Sequence, residues 1–171
     1  MIIVALSLAL SQTTAAEAPA VPPSPPRCEG ETYEAFDFWV GEWDVFPTGG
    51  GEKVADSRIE KVSAGCAIRE TWMPLRGGGG TSVTAFDPAT GGWHQLWVGA
   101  APGRVFFDGG MVGEAMVLTG YWGRDQQGNR SLVRMTYTLE ADGSVRQYGQ
   151  TSSDHGQTWS DSFDLTYRAK E

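Results

Sequence analysis

From Gly41 to the end, the chain alternates apolar and polar residues in short runs. The alternation has the period of two that belongs to strands, and turn-forming residues bound each run. Ten runs stand out: 41–47, 53–62, 67–74, 81–86, 93–98, 104–108, 114–122, 131–140, 144–152 and 160–168. Every connection is short. Asp142-Gly143 carries hairpin chemistry, and Asp87-Pro88-Ala89-Thr90-Gly91 makes a longer turn closed by glycine. Consecutive strands joined this way form an up-and-down antiparallel meander, which removes its exposed edges most simply by closing into a barrel. The predicted fold is therefore all-β, a barrel of roughly ten strands whose interior either fills with side chains or holds one small ligand. Residues 31–40, ETYEAFDFWV, break the pattern; they predict one or two helical turns with Phe36, Trp39 and Val40 on one side, a short cap ahead of the first strand.

The same period sorts faces. Ile68, Glu70 and Trp72 share one side of their run, and Trp93, Gln95 and Trp97 share one side of theirs, which turns His94 the other way. If the tryptophans face inward, Glu70 and Gln95 are polar groups among aromatic rings, and each must be paired or must face a ligand. Arg134 and Arg146 are the candidate partners. Two readings follow: a structural buried ion pair, or a binding site with Trp72, Trp93, Trp97, Glu70, Gln95 and Arg134 as its residues.

The first 18 residues combine an apolar run, Ile2 to Leu10, with small residues after it. They read as a signal peptide cleaved after Ala16 or Ala18. The run is too short to span a bilayer, so the mature chain is expected to be exported, periplasmic or secreted, without membrane insertion. Residues 19–30 are a Pro-rich linker, and 31–171 are a single domain. In an oxidising compartment the only two cysteines, Cys28 and Cys66, form an expected disulfide; closing a loop of about 39 residues is worth roughly 4 kcal/mol. Two cysteines and two distant histidines are too few for a metal site. A net charge of -8 argues against nucleic acid or an anionic membrane as partner. Partner proteins are not indicated.

Three motifs add to this frame. Gly41-Glu42-Trp43 opens the first strand with the G-x-W form of the lipocalin and wider calycin group, where glycine turns the chain tightly and tryptophan plugs the barrel end. In that group a terminal-strand arginine covers the tryptophan, and Arg168 is placed to do so by a cation–π contact. Together with FDFWVGEWDV (36–45), GCAIRETW (65–72), GGWHQLWV (91–98) and the terminal segment, the chain resembles an uncharacterised bacterial family of secreted lipocalin-like proteins. The resemblance implies a calycin-like barrel, supports the cysteine pairing and implies no activity. Ser152-x-Asp154-x-Gly156-x-Thr158-Trp159 matches the Asp-box of sialidase-type propellers. A propeller needs one copy per blade, so a single copy reads as a structural turn. His155 sits inside it, and a distant similarity to nitrobindin-type barrels makes haem ligated by His155 the one cofactor option.

The sequence has no nucleophile elbow, no zinc-protease motif and no P-loop. Three functions remain on the same barrel: a binder enclosing a small, mostly apolar ligand, an enzyme with Glu70 as acid or base, and a structural protein with a filled interior.

Overall fold

The computed structural model describes residues 28–124 and 128–171. The expected signal peptide and most of the expected Pro-rich linker lie outside the described residues. Ten antiparallel strands run β1 (Gly41–Pro47), β2 (Ala55–Val62), β3 (Ala67–Pro74), β4 (Gly80–Asp87) and β5 (Gly92–Gly99), then β6 (Val105–Val112), β7 (Ala115–Arg124), β8 (Arg130–Leu139), β9 (Val145–Ser152) and β10 (Ser160–Ala169). Each pairs with its sequence neighbours, and β1 pairs with β10, so the sheet closes into an up-and-down barrel. The strand count, order and closure are those the alternation predicts. β6 runs four residues past its expected end, through Gly109 and Gly110. A side chain at Gly109 would collide with the backbone of Val117 across the sheet, so a residue type that usually signals a turn here permits close strand contact.

Helix α1 (Glu31–Glu34) and a 3-10 turn (Asp37–Trp39) form the cap. The cap drops Phe36 and Trp39, both fully buried, into one end of the barrel. Their rings stack at 5.0 Å and meet Tyr137 of β8 at 5.1 and 4.8 Å. Trp43 points inward beside them and donates its indole N–H to the Trp39 carbonyl at 2.9 Å. A Cβ on Gly41 would come within 3.1 Å of that indole, which gives the glycine of G-x-W a steric reason.

The expected arginine cover is not formed. Arg168 pairs in register with Asp44, whose side chain faces away from the interior, so its guanidinium lies over the Phe46 ring at 4.7 Å outside the barrel. Parity decides the matter: the inward residue near the end of β10 is Tyr167.

Two further ties hold the cap. The disulfide Cys28–Cys66 joins the segment before α1 to the turn between β2 and β3. Lys61 reaches from β2 to the Asp37 carboxylate at 2.7 Å. Among the described residues no helix is long and apolar enough to cross a membrane.

At the other end, the Asp-box residues close the β9–β10 turn on themselves. Ser152 Oγ accepts from the Gly156 N–H, and Asp154 accepts from the backbone N–H and hydroxyl of Thr158. These donors hold the Asp154 carboxyl well below the usual range. Trp159 donates to the Gly156 carbonyl and lies under Arg134 at 4.1 Å, so the motif is a turn staple.

Candidate functional site

Inward positions from successive strands meet in the half of the barrel away from the cap, and they do not fill it. A cavity of about 170 Å³ remains, which a filled barrel would not leave. Its walls are Trp72 and Trp97 on one side, Phe107 and Trp122 on another, and Phe163 and Leu165 on β10. Glycines at inward positions make room for these rings. A side chain at Gly80 would enter the Trp97 indole, and one at Gly149 would enter the Phe163 ring.

Polar groups gather toward the cap. Glu70 is only 5% exposed, and its carboxylate accepts from Ser82 Oγ at 3.1 Å and Ser57 Oγ at 3.4 Å, one serine on each flanking strand. Register places Ser82 directly opposite Glu70 and Ser57 opposite Trp72, so both hydroxyls share its inner face. Gln95 donates to Thr84 Oγ1 at 2.9 Å. Gln147 bridges the two buried tyrosines: it donates to the Tyr137 hydroxyl at 2.9 Å and accepts from the Tyr167 hydroxyl at 2.7 Å.

No charged side chain of the described residues pairs with this carboxyl, and burial raises the Glu70 pKa to about 7 against the partial help of the two serines. Burial and the nearby Glu70 charge push Tyr137 and Tyr167 well above the ordinary tyrosine range, so both stay neutral. Near neutrality the site thus holds one carboxyl poised between its two protonation states among neutral acceptors and aromatic faces.

Trp72, Trp97 and Trp122 also line a wider vestibule of about 900 Å³, whose rim comes from the loops before β4 and before β6 and from the end of β7. The cavity therefore has a way in at the end opposite the cap.

Of the residues singled out from sequence, Trp72, Trp97, Glu70 and Gln95 come together. Trp93 does not join them. It faces inward but sits against Phe36 and Phe86 at the capped end, as core. Arg134 points out of the barrel to Gln150 and Trp159, and Arg146 pairs there with Asp164 at 2.7 Å, so neither reaches Glu70. Both lie at odd steps from inward residues of their strands, Met135 and Gln147, which fixes their direction. His94 faces outward to Asp108 and Thr90, as expected. His155 is exposed on the turn and bonds Tyr121 Oη at 2.8 Å, outside the cavity, so a haem within the barrel has no ligand from it.

Sequence reasoning missed Trp122, Tyr137, Gln147 and Tyr167. The signal was present: Tyr137 and Gln147 face each other in register, on strands whose alternation was legible. The chain matches no family model and no curated protein.

Proposed function

We propose that this is an exported binding protein whose barrel encloses one small, mostly apolar ligand. The observation that carries the reading is an unfilled aromatic cavity, reached from a vestibule and holding a buried carboxyl with no cationic partner among the described residues. A fold that needed Glu70 only for stability would pair it or replace it, because a lone buried carboxyl is destabilising. Trp72, Trp97 and Trp122 grip the apolar body, and Glu70 with Gln95 orients the polar end. Export is supported by the apolar leader and by the disulfide, which forms and persists in oxidising compartments. The outer face near β1 and β2 carries Asp44, Lys53, Asp56 and Lys170 in one ion-pair cluster, which suits water rather than lipid and supports a mature chain that does not insert in a membrane.

Titration with a broad panel of small apolar and aromatic probes tests the binding reading. Three tryptophans line the cavity, so a saturable change in their fluorescence is expected with at least one probe. Native mass spectrometry of the protein from its own host should show a co-purifying small molecule. No saturable change with any probe, together with an empty mass spectrum, overturns the reading.

A second reading, an acid–base enzyme, draws on the same carboxyl, because a group titrating at about 7 suits proton transfer at neutral pH. Turnover of a bound compound that disappears in Glu70→Gln, with the fold intact by circular dichroism, would select it.

A further inference from the structure

Resting on the binding reading, we infer that the ligand is a small organic amine, bound as its ammonium with the charge at Glu70 and a body about one ring in size in the cavity beyond. The first ground is the carboxylate's unmet demand. An ionised carboxylate has about four lone-pair sites, and Glu70 fills them with one serine at 3.1 Å and another at a marginal 3.4 Å. The second is the balance of the cavity's polar groups. Tyr167 spends its proton on Gln147, Gln147 spends protons on Tyr137 and Met135, and Gln95 donates to Thr84. Those protons are spent, while the Glu70 carboxylate keeps lone pairs open and asks for a donor.

The third ground is the surroundings of the charge. The elements packed against Glu70 present Ser57 from β2, Ser82 from β4, Gln95 from β5, Tyr137 from β8, Gln147 from β9 and Tyr167 from β10. Only the two tyrosines there titrate, and both stay neutral. Among the described residues no lysine or arginine lines the cavity, and Arg134 lies on Trp159, Arg146 on Asp164, Arg168 on Phe46 and Lys61 on Asp37. An anionic ligand in the cavity would therefore meet a like charge, with Arg104, Arg124 and Arg130 lining only the vestibule outside it. A cation gains the carboxylate and aromatic faces, whose quadrupoles attract positive charge. Size sets the body: apolar cavities of about 150 Å³ admit benzene, and this one is about 170 Å³.

The test compares benzylamine with benzyl alcohol and benzoate, which match it in shape and differ in charge. Calorimetric titration of the oxidised wild-type chain near pH 8 should show benzylamine binding at least tenfold tighter than benzyl alcohol, with benzoate weakest. Because the ammonium needs the ionised carboxylate, benzylamine should bind about tenfold more weakly near pH 6 than near pH 8, with proton release on binding at the lower pH. Titrations in two buffers of different ionisation enthalpy read that release on the wild type alone, so the test survives even if Glu70→Gln folds poorly. Where the variant folds, it should lose the preference for benzylamine over benzyl alcohol.

Equal or tighter binding of benzyl alcohol or benzoate, or benzylamine binding that does not vary with pH, overturns the amine and leaves the binding reading standing. Failure of all three ring compounds while another apolar probe binds also overturns the amine alone. Failure of every probe in the broad panel overturns both.

Discussion

At the capped end, Phe36, Trp39 and Trp43 are sealed among Tyr137, Tyr167 and the strands, with a disulfide and the Lys61–Asp37 ion pair drawn over them. At the open end, Trp72, Trp97 and Trp122 are part-exposed, the last 40% so, and they border empty space and glycine-rich loops. The same residue type thus does different work at the two ends. A buried indole contributes stability through the contacts it makes, whereas an indole beside a cavity contributes little until something occupies that cavity. The difference assigns stability to one end and recognition to the other, with Glu70 at the boundary.

The largest expected effect tests that division directly. Trp39→Ala removes a fully buried ring and should destabilise the chain by about 3–5 kcal/mol in urea denaturation. Trp97→Ala should cost less than about 2 kcal/mol, because part of its surface already faces water or the cavity. Equal losses would mean that the open end is packed core, and the contrast would break.

The boundary has its own signature in pH. The folded chain keeps the Glu70 proton to about 7, while an unfolded glutamate releases it near its ordinary value of 4.5. Between those limits the native state holds more protons than the unfolded state, so stability falls as pH rises and is flat above. The full loss across the window is about 3 kcal/mol at roughly 1.4 kcal/mol per unit. Asp56 and Asp164, held below their ordinary values by Lys170, Lys53 and Arg146, slope the other way at lower pH. Subtracting Glu70→Gln from the wild type isolates the carboxyl. The variant should gain on the wild type between about pH 5 and about pH 8, as read by urea midpoints. A difference that stays constant with pH would place Glu70 in an ordinary solvated setting.

Most of the architecture was legible because a barrel obeys one local rule. Period-two alternation bounded by turn residues set ten strands within a few residues of where they lie, and short connections left the meander little choice but closure. The site was half legible for the same reason. Alternation says which residues share a face, so Glu70 with Trp72 and Gln95 with Trp97 were found. It does not say how far along the barrel axis a residue sits, so Trp93 was placed with the site when the cap holds it. Arg134 and Arg146 were drawn toward Glu70 by charge alone, while parity along β8 and β9 sends both outward. Arg168 failed on the same ground. The inward tyrosines escaped notice because a tyrosine in a strand is ordinary, and only closure brings Tyr137 and Tyr167 to one carboxyl.

The smallest effect lies within the capped end and asks how complete its packing is. Trp43 and Trp39 are both buried indoles, but their N–H groups differ. Trp43 donates to the Trp39 carbonyl at 2.9 Å, whereas the Trp39 N–H finds no acceptor among the described residues. Replacing either by phenylalanine removes similar volume, so the cavity costs nearly cancel in the comparison. What remains is the donor. Trp43→Phe gives up a satisfied buried hydrogen bond, and Trp39→Phe removes a donor whose burial was already unfavourable. Trp43→Phe is therefore expected to cost about 1–2 kcal/mol more than Trp39→Phe in paired urea titrations. Equal costs would mean that the Trp39 N–H has an acceptor after all, such as a buried water, and that the capped end carries a polar contact its packing alone does not reveal.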